Sequence, residues 1–199
     1  MRKSLLSLIL ILVVIATPSF ANGSSTTSIN TDALDLSTVE ILPDGITPIV
    51  IENQTQFDEF VKAMKTAPET IEEVSYLKNP NLISSYSTNG IITYYTSASK
   101  NLGLGIGDWS STKLKLTAAI EIYTSGSFRQ INGSTQWTNL EGYTIGLDWT
   151  EHYNSSTIQN GGQSIDVSAS GTLDYYLIVN GVIKLYSKNM NISLSYRVY

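Results

Sequence analysis

Apolar and polar residues alternate with a period of two along most of the chain beyond residue 82. The stretch KLKLTAAIEIY, residues 113–123, shows this alternation most clearly, and residues 143–149 and 192–198 repeat it. Because successive side chains of a β-strand point to opposite faces, each stretch predicts a strand with one buried face. In residues 113–123 the predicted core side chains are Leu114, Leu116, Ala118, Ile120 and Ile122.

Turn signals separate these strands at short intervals. Asn-Gly pairs at residues 89–90, 132–133 and 180–181 predict two-residue hairpin turns, because both central residues of a type I′ turn need positive φ. The stretches TSGSF at 124–128 and QNGGQ at 159–163 predict two further turns, the second of them looser. The pattern therefore predicts an all-β fold, mainly an antiparallel sandwich or an open barrel of hairpins, with meander connections.

The pattern changes once, near the beginning of the predicted domain. After a short apolar run at 49–51, the spacing becomes helical over residues 56–66, and Pro68 follows. The sequence thus predicts one short N-terminal amphipathic α-helix. Its predicted apolar positions are Phe57, Phe60, Val61 and Met64.

Residues 1–21 have the organisation of a Sec signal peptide. Arg2 and Lys3 precede an apolar run at 5–15, and small residues around Phe20 end in Ala21. The apolar run is far shorter than the roughly 20 residues that span a bilayer. We therefore expect cleavage after Ala21 and no stable membrane anchor in the mature form.

Beyond the signal peptide we expect two regions. Residues 22–44 are polar and predict a flexible leader, and residues 45–199 predict a single β-rich domain.

The chain carries 12 basic and 17 acidic residues with no basic cluster, so nucleic acid is not an expected partner. It contains no cysteine, which excludes disulfides and thiolate metal sites. An exported, cysteine-free chain is typical of a secreted, extracellular bacterial protein of Gram-positive type.

The stretch KNLGLGIGDWSS places glycine at every second position before a tryptophan. A dinucleotide-binding loop needs a different glycine spacing and a following helix, so this interpretation fails. Two interpretations remain: the glycines allow an edge strand to bend, or they leave a bare face that a flat ligand can approach. The second makes Gly103, Gly105, Gly107 and Trp109 a candidate ligand-binding site, whereas Trp149 is in phase with Leu147 and is predicted to be core.

Catalytic chemistry has little support in the sequence. His152 is the only histidine, and no Gly-x-Ser-x-Gly nucleophile motif occurs, so we predict a surface histidine rather than a triad. Carboxylates that could form a hydrolase pair are present, but only their separation in space would show one. We predict no catalytic residue, no metal site and no cofactor. The carboxylates are Asp108, Glu141, Asp148, Glu151, Asp166 and Asp174.

Tyrosine is the most abundant aromatic residue, with 12 in the chain, including the adjacent pairs Tyr94-Tyr95 and Tyr175-Tyr176. On a strand, one member of each pair is expected to face outward, where its ring can contact a sugar or a protein. The leading hypothesis is a secreted, non-catalytic binding protein that acts on an extracellular glycan, cell-wall component or protein surface. A secreted antagonistic or membrane-active protein of pore-forming type is the alternative, and a glycan hydrolase is the third.

Overall fold

The computed structural model describes residues 28–66, 71–76, 89–102 and 111–198. In chain order the strands and the helix are β1 (Ser37–Thr38), β2 (Ile49–Ile51), α1 (Gln54–Thr66), β3 (Ile71–Tyr76), β4 (Asn89–Asn101), β5 (Lys113–Ser125), β6 (Phe128–Glu141), β7 (Leu147–Gln159), β8 (Ser164–Val179) and β9 (Val182–Arg197). A single 3₁₀ turn, Asn160–Gly162, separates β7 from β8. The prediction of a mainly β protein is confirmed.

The strands form two sheets. The first sheet has the order β1-β9-β8-β2, and β7 pairs with the part of β8 that β2 leaves free. The second sheet has the order β3-β4-β5-β6. Consecutive strands are antiparallel neighbours within β3 to β6 and within β7 to β9, so the expected meanders are present. The parallel pairing of β2 with β8 was not expected from the sequence.

The hydrophobic core lies between the two sheets, in the arrangement of a β-sandwich. Strand β5 buries every second side chain, as the alternation predicted, and β8 does the same from the facing sheet. Their interior positions exclude water almost completely, which provides the main stabilisation. The core side chains of these strands are Leu114, Leu116, Ala118, Ile120, Ile122, Ile165, Val167, Ala169, Leu173, Tyr175, Leu177 and Val179.

Helix α1 covers one end of this core. Its first turn begins at Asn53, whose Oδ1 accepts the backbone N–H of Gln56 at 3.0 Å, so the helix begins earlier than the apolar spacing indicates. Phe57 and Phe60 are fully buried, and the Phe60 ring meets Tyr175 edge-on at 6.0 Å. The helix therefore closes the end of the sandwich where β8 finishes.

The turn predictions have mixed outcomes. Asn180 and Gly181 have φ of 53° and 75° and connect β8 to β9, as expected, and Gly126 lies in the predicted turn between β5 and β6. The predicted turn at residues 132–133 is wrong, because both residues continue β6 through a β-bulge. The prediction at residues 89–90 is also wrong, because these residues pair with Ser125 and Thr124 of β5.

The described part of the expected leader contacts the first sheet. Ile29 is buried, its N–H donates to Asn180 Oδ1 at 3.0 Å, and its carbonyl accepts from Asn180 Nδ2 at 3.1 Å. Further along, Ser37 and Thr38 pair with β9. Residues 28–44 thus contribute contacts to the domain.

The two tyrosine pairs behave differently. Tyr94 faces inward against Tyr196, with ring centroids 5.1 Å apart, while Tyr95 is 51% exposed, so the expected division between faces is confirmed. The prediction that one tyrosine of the pair is exposed is wrong for Tyr175 and Tyr176, because both side chains are buried. The cause is local: the loop before β7 lies beside this end of β8, where the Tyr176 N–H donates to the Gly146 carbonyl at 2.8 Å.

Candidate functional site

The four residues predicted to bind a ligand, Gly103, Gly105, Gly107 and Trp109, lie outside the described residues. An aromatic ring does pack on a glycine elsewhere in the structure, where Trp149 on β7 lies against Gly171 on β8. A Cβ added to Gly171 on β8 would lie 2.8 Å from two ring carbons of Trp149 on β7. Trp149 is half-buried and packs against the core, so its core prediction is only partly correct.

Five large apolar side chains project from the outer face of the second sheet, the face turned away from the core. We call them the aromatic face: Ile91, Tyr95, Tyr123, Phe128 and Trp137. Each is between 40% and 60% exposed.

The register of the strands places these side chains on one surface. Ile91 lies directly opposite Tyr123, and Trp137 lies opposite Thr117, an outward-facing position of β5. The rings of Tyr123 and Phe128 touch edge-on, with centroids 6.4 Å apart. Ile91, Tyr123 and Phe128 are neighbours, and a row of Thr93, Glu121 and Gly133 separates them from Tyr95 and Trp137. Several exposed rings on one sheet face favour a binding role over that of an ordinary solvent-facing sheet.

The sequence predicted exposed rings but did not locate this surface. Trp137 and Phe128 were not candidates, because β6 was expected to break at residues 132–133. A continuous β6 brings both residues onto the same sheet as Tyr95 and Tyr123. The signal that could have located Trp137 is the strand preference of Thr135, Trp137 and Thr138.

A second cluster occupies the interior-facing side of β6 and β7, where the two sheets end next to each other without backbone pairing. We call it the polar seam: Ser134, Gln136, Thr138, Trp149, Glu151 and Asn154. These side chains replace the apolar residues that fill the same layer between β5 and β8.

Hydrogen bonds connect the polar seam from end to end. Trp149 Nε1 donates to Thr138 Oγ1 at 2.8 Å, and that hydroxyl donates to Glu151 Oε2. Asn154 Nδ2 donates to Glu151 Oε1 at 2.5 Å, and Gln136 Nε2 reaches Asn154 Oδ1 at 3.4 Å. Side chains alone therefore join the two sheets at this edge.

Two of the candidate carboxylates are cross-strand neighbours on the outer face of the first sheet, Asp148 on β7 and Asp174 on β8. Glu151 lies opposite Gly171 on the inner face, whereas Asp148 lies opposite Asp174 on the outer face, so these two near neighbours in sequence point apart. Asp166 is also on the outer face, where it accepts from Ser195 Oγ at 2.6 Å. Glu141 at the end of β6 pairs with Lys115 at 2.9 Å, and this hydrogen bond lowers the pKa of the Glu141 carboxyl.

His152 is exposed and lies in the bulge of β7. Its Nε2 is 2.8 Å from Thr172 Oγ1, which in turn donates to Asn189 Oδ1 at 3.2 Å. These partners are hydroxyl and amide groups of the outer sheet face, so within the described part of the chain the ring has no nucleophile–carboxylate arrangement around it.

Within residues 28–66, 71–76, 89–102 and 111–198, no group of three or more metal-ligating side chains is found. The helix in these ranges is too short and too polar to cross a bilayer.

Comparison with known proteins gives no relative: no family model, no curated protein and no solved structure matches this chain.

Proposed function

We propose that this chain is an exported, non-catalytic binding protein that holds an extracellular glycan on the aromatic face. The observation that carries the proposal is the set of five exposed apolar side chains on one side of the four-stranded sheet. Leaving such side chains in water forgoes the stabilisation that burial gives, which favours a role in binding.

The neighbours of the rings favour a glycan over a purely apolar partner. Trp137 has Thr135 and Asn139 on either side along β6 and Thr117 across from it on β5. A sugar ring presents C–H groups to an aromatic face while its hydroxyls need hydrogen-bonding partners beside that face. The hydroxyl and amide side chains around the Trp137 ring meet both needs.

The binding test compares two exposed tyrosines on different sheets. Purified protein is incubated with insoluble peptidoglycan, chitin and cellulose, and the retained fraction is measured as a binding isotherm. On the polysaccharide that retains the wild-type protein, Tyr95→Ala should weaken binding about three- to tenfold, the range expected for losing one stacking contact. Tyr153→Ala is the matched control, because Tyr153 is 61% exposed but lies on β7 of the first sheet.

Two results would contradict the proposal: no polysaccharide retains the protein, or Tyr95→Ala and Tyr153→Ala bind equally well.

Export is tested separately. N-terminal sequencing of protein recovered from the culture medium should begin at Asn22, as the signal-peptide pattern predicts.

A membrane-active function is the second candidate, and it has its own supporting observation. Strands β8 and β9 are each 16 residues long. Over residues 164–174 of β8 and 189–195 of β9, the outer positions carry hydroxyl, amide and carboxylate groups and the inner positions are apolar. On this face Ser155 bonds to Ser168 at 3.0 Å, and Ser187 donates to Asp174 at 2.5 Å. Long strands with one polar and one apolar face are what a strand-built pore requires. Dye release from liposomes, with no requirement for Tyr95, would favour this candidate.

A further inference from the structure

The free edge of β6 leads to a separate inference, which does not depend on the glycan. Strand β6 pairs with β5 along its whole length, and no other described strand pairs with its opposite edge. Near its beginning this edge is covered, because Gln163 Nε2 donates to the Arg129 carbonyl at 3.0 Å and Gln130 Nε2 bonds to the Gly161 carbonyl at 3.3 Å. The uncovered part begins after the bulge, at Gly133.

This part of the edge lacks the features that usually prevent strand addition. Natural edge strands are protected by charged side chains, prolines, bulges or short length. Residues 133–140, GSTQWTNL, contain no charged residue and no proline, and the bulge lies before them. Within the described residues, β7 contacts this segment through side chains only, so the backbone groups on this edge have no strand partner there.

We propose that β6 pairs with β6 of a second copy of this chain, antiparallel and about a two-fold axis at Thr135. An uncharged segment can meet its own copy without the like-charge repulsion that an acidic chain would otherwise encounter. Two-fold pairing is also the commonest way in which identical subunits assemble.

The outer face of β6 selects the register of this pairing. With Thr135 on the axis, Gly133 of each copy lies opposite Trp137 of the other, because both are two residues from the centre and both face outward. A Cβ at Gly133 would meet only Glu121 Oε2, at 3.7 Å, so the space above this glycine is open. The exposed Trp137 ring of the second copy can lie over it, as aromatic rings do on edge glycines.

The register centred on Trp137 is disfavoured by charge. It would place Glu141 of one copy opposite Gly133 of the other, beside Glu121 on β5. Two carboxylates would then lie close together over Gly133, which is destabilising. The Thr135 register avoids this contact.

The test measures mass against concentration by analytical ultracentrifugation, from low micromolar to several hundred micromolar protein. The wild-type protein should rise from the monomer to twice the monomer mass. Thr135→Lys should remain monomeric, since it places two lysines against each other on the axis. Thr93→Lys is the matched control: it adds the same charge on the same outer face, two strands away on β4, and should dimerise normally.

A second variant separates loss of pairing from loss of folding. Gly133→Val should fold, because its backbone is not in the positive-φ region and its Cβ has room, but it should block the partner's Trp137 and prevent the dimer. Circular dichroism confirms that each variant is folded. A wild-type protein that stays monomeric at every concentration, or a dimer that survives both Thr135→Lys and Gly133→Val, would overturn the proposal.

Discussion

Replacing Gly171 by alanine should destabilise the sandwich much more than a typical Gly→Ala change in a strand. The added methyl group would lie well inside contact distance of the Thr150 carbonyl oxygen and 2.8 Å from two ring carbons of Trp149. The carbonyl belongs to the paired backbone of β7 and cannot turn away, so both β7 and the indole ring must shift. Such overpacking typically costs about 1–3 kcal/mol.

A shift of the indole has a further cost, since it breaks the hydrogen bond from Trp149 Nε1 to Thr138 Oγ1, worth about 1 kcal/mol. The total of about 2–4 kcal/mol corresponds to a melting temperature lower by roughly 5–15 °C in a domain of this size. Urea unfolding followed by circular dichroism gives the free energy directly.

Gly133→Ala is the matched control, because its nearest atom would be an ordinary contact at 3.7 Å, and its unfolding free energy should change by less than about 0.5 kcal/mol. A double-mutant cycle with Trp149→Leu tests the cause: truncating the ring should recover part of the loss in the Gly171→Ala protein. If Gly171→Ala is as stable as wild type, the close packing of Trp149 on β8 is wrong.

Two further predictions concern the β8–β9 turn and the buried phenol of β8. Gly181→Val should cost about 1 kcal/mol or more through the φ of 75° alone, since nothing lies within 4 Å of the added Cβ; an unchanged unfolding free energy would contradict this. Burial raises the pKa of Tyr175 above its ordinary value of 10.0, so the unfolded chain loses this proton first as pH rises. The free energy of unfolding therefore does not depend on the protonation of Tyr175 below pH 10, and it falls by about 1.4 kcal/mol per pH unit above pH 10. In urea titrations at alkaline pH, Tyr175→Phe should show a shallower decline than wild type, and equal slopes would refute the assignment.

Sequence alone predicts the local elements of this fold well and their arrangement poorly. The alternation from Leu114 to Ile122 reports burial on one face, and a two-residue Asn-Gly turn with positive φ at Asn180 and Gly181 is a local property. The same dipeptide at residues 132–133 forms a bulge, because pairing with β5 on both sides of it stabilises a continuous strand. A local turn preference is outweighed by a ladder whose partner is known only from the folded structure.

The candidate surfaces were missed for a related reason. The aromatic face draws residues from β4, β5 and β6, and only the register brings Tyr95, Tyr123 and Trp137 onto one side of a sheet. The polar seam likewise joins residues from two different sheets, and nothing local in sequence marks Thr138 as the partner of Trp149. Periodicity identifies which side chains share a face of one strand, but not which strands are neighbours.

The two proposals share Trp137, and their variants separate them. Tyr95 is on β4, away from the β6 edge, so Tyr95→Ala should lose glycan binding and keep the dimer. Thr135→Lys should lose the dimer, yet a single copy keeps Ile91, Tyr95, Tyr123 and Phe128 exposed. Pairing at β6 would join two aromatic faces into one eight-stranded surface, so the dimer should bind a long polysaccharide more tightly than a short oligosaccharide, through effective concentration rather than new contacts. Gly133→Val, which also loses the dimer, should therefore weaken binding to the polysaccharide and leave the affinity for the short oligosaccharide unchanged. Equal losses on both ligands would mean that the added valine disturbs the binding surface itself.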